Sequence, residues 1–133
     1  MPTVKNGVMN RGRVLLVDDD EAVAKGFERV LGMVGYETRW ACNGLVALQM
    51  LNESRFDAMV CDLFMPERQG LETIRDVRKL YPAMGIVVAS GGFGTTEVSL
   101  WLKTALALGA VAALAKPVSS GDLMSAVRTA IAR

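Results

Sequence analysis

Asp18, Asp19, Asp62, Ser90 and Lys116 are the residues of this sequence whose types and spacing suit work on a phosphoryl group. Each follows a short continuous apolar run: Arg13–Val17 before the two acids, Ala58–Cys61 before Asp62, Ile86–Ala89 before Ser90, and Val111–Ala115 before Lys116. Runs of that kind read as strands buried on both faces. If they lie side by side, the polar residues meet at one edge of the sheet. Clustered carboxylates repel unless a cation sits among them. Oxygen donors without nitrogen or sulfur suit Mg²⁺. Lys116 supplies a compact positive charge opposite, so a phosphoryl group held between metal and lysine has its charge neutralised from two sides. The central carboxylate, Asp62, can then serve as nucleophile and give an acyl phosphate, with Ser90 donating to a phosphoryl oxygen. These parts suit phosphoryl transfer to Asp62.

Each part alone has a plainer reading. Acids after a strand often serve the first turn of a helix, the role expected of Asp20 and Glu21. A lone Lys-Pro is commonly a loop, and a lone Ser a turn or cap. The combination is far more specific than its pieces. Composition narrows the field further. The chain has 133 residues, the usual size of one domain, with 51% apolar and 22% charged residues, which is a globular profile. Its net charge of +1, without a basic run, gives no expectation of direct nucleic-acid or membrane binding. There is no histidine, so Ser-His and Cys-His pairs are absent from the sequence. Cys42 and Cys61 form no CxxC and are expected as two small core thiols in a reducing compartment. Met1–Gly12 has no apolar stretch resembling a signal peptide, and a cytoplasmic location is expected.

Between the strands the period changes. Val23, Phe27, Val30, Leu31 and Val34 recur at helical spacing up to Gly35, with Gly26 and Gly32 inside, which are expected to allow close packing on the sheet. Tyr36–Cys42 reads as a strand and Leu45–Asn52 as a helix after an Asn43-Gly44 cap or turn. Gly70 opens a third helix, through Leu71, Ile74, Val77 and Leu80, that Pro82 ends. Ser90–Thr96 is a Gly-rich loop, Glu97–Leu108 a fourth helix, and Ser119–Ala132 a fifth, opened by Ser/Asp caps. The apolar span Val98–Ala115 contains Lys103 and Gly109 and reads as helix, stop and strand, not a membrane span. The expectation is an α/β fold: five βα units around a doubly wound parallel sheet, with ligands beyond the carboxyl ends of the strands.

The stretches Val14–Glu21, Asp62–Gly70 (Asp-Leu-Phe-Met-Pro-Glu-Arg-Gln-Gly), Ala89–Gly92 and Leu108–Pro117, in this order and spacing, resemble the receiver domain of two-component response regulators. The likeness covers about residues 13–132 and suggests the single-domain type: a flexible segment 1–12, then a receiver domain 13–133. It implies the flavodoxin-like strand order 2-1-3-4-5. It also implies phosphorylation of Asp62 by a sensor histidine kinase or phosphotransfer protein, with Mg²⁺ as cofactor. Asp19 and Asp62 would bind the metal with the backbone carbonyl of Phe64, and Asp18 mainly through water. Lys116 would contact the phosphoryl group, Ser90 would be the moving switch hydroxyl, and Pro117 would follow a cis bond. Such a chain is not an enzyme beyond its own phosphorylation and dephosphorylation.

The sequence departs from the family's pattern in three places. Ala113 stands where an aromatic usually takes up the movement of the switch hydroxyl. Phe64 and Gly92 occupy positions that tune phosphate lifetime, and with little to aim a water they imply slow autodephosphorylation. The interval from Ser90 to Lys116 is longer than usual, with the excess in a loop at Gly91–Thr96 expected to be mobile. On a helical wheel Val98, Trp101, Leu102, Ala105 and Leu106 share a core face, while Leu100 and Ala107 fall opposite, near Lys103. That outer face, with the fifth strand and fifth helix, is the expected contact for a downstream protein or a second copy. Three other readings compete. One is a non-phosphorylated pseudo-receiver acting as an interaction module. Another is an aspartyl-nucleophile phosphatase using Asp18-Asp19-Asp20, which lacks the acidic pair after the lysine. The last is a nucleotide binder using Gly92-Phe93-Gly94, which lacks the third glycine and the ribose acid.

Overall fold

In this computed structural model the chain is described over residues 3–5, 8–63, 70–91 and 96–132, with backbone alone at 3–5, 8–9, 96–99 and 101. The buried runs form strands β3 (Gly12–Val17), β5 (Ala58–Asp62) and β6 (Gly85–Ser90), with β4 (Tyr36–Ala41) and β7 (Ala112–Ala115) as the edges. All neighbours pair in parallel, in the order β4-β3-β5-β6-β7. This is the expected 2-1-3-4-5 sheet. The two central strands are buried throughout, whereas the edge strands are partly open, as parallel pairing between helical layers requires.

Side chains alternate across each strand, so one run feeds two cores. Leu15, Val17, Met59, Cys61, Ile86 and Val88 pack toward helices α2 (Gly44–Glu53), α3 (Gly70–Leu80) and α4 (Thr96–Ala107). Val14, Leu16, Val60 and Val87 face α1 (Glu21–Met33) and α5 (Ser120–Ala132) on the other side. Asp20 caps α1, its carboxylate accepting from the backbone N–H of Ala22 and Val23, as its plainer reading held. Asn43 caps α2 in the same way through the N–H of Val46. Within the stretch 1–12 expected as a flexible segment, β1 (Thr3–Lys5) and β2 (Val8–Asn10) pair as an antiparallel ribbon separate from the main sheet.

Several sequence expectations give way to packing. Gly26 and Gly32 do not face a close neighbour: a Cβ at either would meet nothing within 4 Å. Both lie on the exposed face of α1, so they carry only the entropic cost of glycine in a helix. Gly26→Ala and Gly32→Ala are each expected to stabilise the chain by about 1 kcal/mol, read as a higher urea midpoint at unchanged slope. Loss of stability in either variant would show that α1 needs a glycine there. Cys42 is exposed, not in the core, because β4 ends at Ala41 and the chain turns outward to Asn43; Cys61 is fully buried. On α4, Leu102 and Ala105 are buried as expected, but Leu106 is 45% exposed. It stands at the rim of the buried arc, on the side of Lys103. The side chains of Val98 and Trp101 lie outside the described residues.

Candidate functional site

The carboxyl ends of β3 and β5 are adjacent, since Val17 pairs with Cys61, and each strand delivers its acids at the next residue. Asp18, Asp19 and Asp62 each place a carboxylate oxygen within 4.8 Å of the others. Asp18 and Asp62 are buried, at 4% and 6% exposure, while Asp19 opens to solvent. Lys116 reaches them from the end of β7. Its Nζ lies 2.7 Å from Asp18 Oδ2 and 3.5 Å from Asp62 Oδ1. Burial pulls the Lys116 ammonium down. The hydrogen bond to Asp18 and the charges of Asp62 and Asp18 outweigh that, and its pKa lies above the usual lysine value. Lys116 therefore stays charged at neutral pH. Three carboxylates facing one ammonium leave the cluster net negative, and all its anionic donors are oxygens. That donor set fits a hard divalent cation such as Mg²⁺, which keeps several waters and needs the open side that Asp19 provides.

Backbone geometry fixes these side chains. Asp18 N–H donates to the Ala41 carbonyl (3.1 Å), one residue beyond the ladder, and Asp18 Oδ1 accepts from the N–H of Asp20 (2.9 Å). The indole Nε1 of Trp40 donates to the Asp18 carbonyl at 2.7 Å. Sequence reasoning gave Trp40 no role, although an indole N–H next to the end of a strand beside an acid pair is a usable signal. After β5 the chain leaves through Leu63 and returns at Gly70, whose N–H donates to the Leu63 carbonyl at 2.9 Å. A Cβ at residue 70 would collide with the carbonyl of Asp62 and stand 2.5 Å from the Leu63 Cα. Gly70 thus lets α3 start directly against the strand end that carries Asp62.

Ser90 ends β6, one position past the pairing of Asp62 with Ala89, and is fully buried. Its hydroxyl donates to the Gly91 carbonyl at 3.0 Å, and its own carbonyl accepts from the N–H of Lys116 at 2.9 Å. The Lys116–Pro117 peptide is cis. Ala113 lies in β7 opposite Val88 and packs against the α2–α4 core. Leu100, Lys103 and Ala107 are exposed on α4. Phe64 and Gly92 lie outside the described residues, and with them the metal-binding carbonyl and the lifetime positions expected there. Cys61 sits beneath the cluster, and burial, with the negative charges of Asp62 and Asp18, pushes its thiol far above the usual range. It is an inert packing group. Among the described residues no helix is long and apolar enough to cross a membrane.

The profile of the response regulator receiver domain matches residues 14–128. Response regulator MprA of Mycobacterium leprae is 34% identical over 121 residues, which cover 91% of this chain and 51% of that protein. A transcriptional regulatory protein CpxR homolog of Haemophilus influenzae is 31% identical over 121 residues, again 91% of this chain and 51% of the relative. The chain therefore spans about half the length of these relatives. Among solved structures, a response regulator receiver domain protein from Clostridium thermocellum superposes with a TM-score of 0.81 at 27% identity, covering 91% of this chain and 94% of that one. A CheY-like receiver domain protein from Methanospirillum hungatei gives 0.80 at 28% identity, covering 90% and 93%.

Proposed function

This chain belongs to the response regulator receiver domain family, and we propose that it acts by accepting a phosphoryl group on Asp62 in a Mg²⁺-dependent reaction. The observation that carries the reading is the convergence of Asp18, Asp19 and Asp62 within 4.8 Å, with Lys116 Nζ 3.5 Å from Asp62. Asp62 is the acceptor because it lies at the end of a central strand, between the acids of β3 and the lysine of β7. Its carboxylate oxygen attacks phosphorus. A new P–O bond forms as the bond from phosphorus to the donor breaks, and the leaving group keeps the electron pair and takes a proton from solvent. From a phosphohistidine the broken bond is P–N.

Asp18, Asp19 and Asp62 would hold Mg²⁺, with the Phe64 carbonyl and waters. The ion would neutralise charge building on the phosphoryl oxygens. Lys116 pairs with the phosphoryl oxygens from the other side, moving from the carboxylates it now contacts. Ser90 exchanges its bond to the Gly91 carbonyl for one to the phosphoryl group, and the loop after it follows. The donor is a sensor histidine kinase or phosphotransfer protein, in the cytoplasm. The switched surface is α4, β7 and α5, which contacts a downstream protein or a second copy. On it Leu100 is 63% exposed near Lys103 and Ala107, with Leu106 exposed at the rim of the buried arc. Leu100→Glu is expected to weaken that association at least tenfold in sedimentation or pull-down, and unchanged association would remove the face from the reading.

Incubation with acetyl phosphate and Mg²⁺ tests the transfer. The intact mass is expected to rise by about 80 Da, the increment of one phosphoryl group, and Asp62→Asn is expected to abolish the gain. A folded parent chain that gains nothing would favour an interaction module that is never phosphorylated.

A further inference from the structure

Asp18 is held on every polar atom. Its N–H bonds to Ala41, its carbonyl accepts from Trp40, Oδ1 accepts from the N–H of Asp20, and Oδ2 accepts from Lys116. The bond from Trp40 differs from the others in what it fixes. The Asp18 carbonyl and the Asp19 N–H belong to one planar peptide, so fixing the carbonyl fixes the direction in which the chain delivers Asp19. Asp19 is the exposed member of the acid cluster, and the cluster residues that face it are anionic. Repulsion favours turning its carboxylate outward to water when no cation is present. The geometry points to Trp40 as a positioning residue: its indole N–H locks the Asp18–Asp19 peptide so that Asp19 is preset for a divalent cation.

The inference rests on the metal-binding reading above. It adds a reason that an edge strand, otherwise without polar residues at the site, contributes to it. The bond is short at 2.7 Å, joins a partly buried donor to a loop carbonyl, and lies where the β3–β4 ladder has already ended at Val17–Ala41. Without the indole donor the Asp18 carbonyl loses its direct restraint, and the Asp18 ψ torsion is limited only by the Asp18 N–H bond to Ala41 and the side-chain bonds of Asp18 to the Asp20 N–H and Lys116. Removing an outer partner that orients a ligand typically weakens metal binding by 10–100-fold.

The test compares the parent chain with Trp40→Phe, which keeps the ring and removes the donor, using Mg²⁺ as the probe in calorimetric titration. Folding is checked by circular dichroism. The expected result is a Kd for Mg²⁺ weakened about tenfold in the variant. Equal affinity in a folded variant would overturn the role of Trp40 and leave the metal site standing, whereas a parent chain that binds no Mg²⁺ would overturn both. A second readout does not depend on the variant folding. In the unsubstituted chain the Trp40 indole N–H is expected to be protected from hydrogen exchange with or without Mg²⁺, because its bond to the Asp18 carbonyl is already made. A freely exchanging Trp40 indole N–H in the folded, metal-free chain would also overturn the inference.

Discussion

Gly70→Ala is expected to cost about 3 kcal/mol of stability and to slow phosphoryl acceptance at Asp62 by about a hundredfold. The added methyl would run into backbone, not into a flexible side-chain end: the carbonyl of Asp62 and the Leu63 Cα at 2.5 Å. Backbone cannot step aside alone. Either α3 lifts from the sheet, loosening Ile74 and Val77 from a core in which both are fully buried, or the end of β5 moves. The first route lowers stability, and the second displaces the acceptor carboxylate relative to Lys116. Urea unfolding and the rate of labelling by acetyl phosphate read the two effects separately. A variant with parental values in both would show that α3 can start elsewhere and that the close approach is dispensable.

Lys116→Met has the second large effect. It keeps the apolar stem and removes the charge facing Asp18 and Asp62. Two buried carboxylates then lack that counter-charge, at a cost of roughly 2 kcal/mol, below that of a fully enclosed broken pair because the cluster opens to water at Asp19. Phosphoryl acceptance is expected to fall by about 10²–10³-fold, since the donor opposite the metal is gone. The more negative cluster should bind Mg²⁺ more tightly, so added Mg²⁺ should restore more stability to the variant than it adds to the parent. The pH dependence has a definite sign. Because the Lys116 value in the folded chain lies above the ordinary 10.5, its contribution is complete below that pH and is lost as pH rises through the raised value. The stability gap between parent and variant should therefore hold from neutral pH up to about 10 and close in more alkaline solution. A gap that opens only at acid pH would contradict the pairing.

The parts of the fold that sequence made legible are those that a short-range pattern encodes. Val14–Val17, Ala58–Cys61 and Ile86–Ala89 are apolar without alternation because central parallel strands are covered on both faces. The acids that follow two of these runs, and the lysine that ends the fifth, had to meet once the strands were neighbours. What the sequence hid depends on neighbours distant along the chain. Gly26, Gly32 and Gly70 are identical letters, yet a methyl would enter open space at the first two and backbone at the third. Cys42 and Cys61 differ only in whether the strand has ended. Leu106 looked like a core residue because a wheel gives an angle but not the width of the buried arc. The role of Trp40 is legible only weakly, from its place next to a strand end, because its partner, the Asp18 carbonyl, is 22 positions away and belongs to the backbone.

The most direct measurement on the central claim is the position of the phosphoryl group. The chain is labelled with acetyl phosphate and Mg²⁺, treated with borohydride, digested and mapped by mass, so that an acyl phosphate is recovered as a reduced, homoserine-type residue. Reduction at Asp62 alone is the expected result. Reduction at Asp18 or Asp19, or no reduced aspartate in a folded chain, would contradict the assignment of Asp62 as the acceptor.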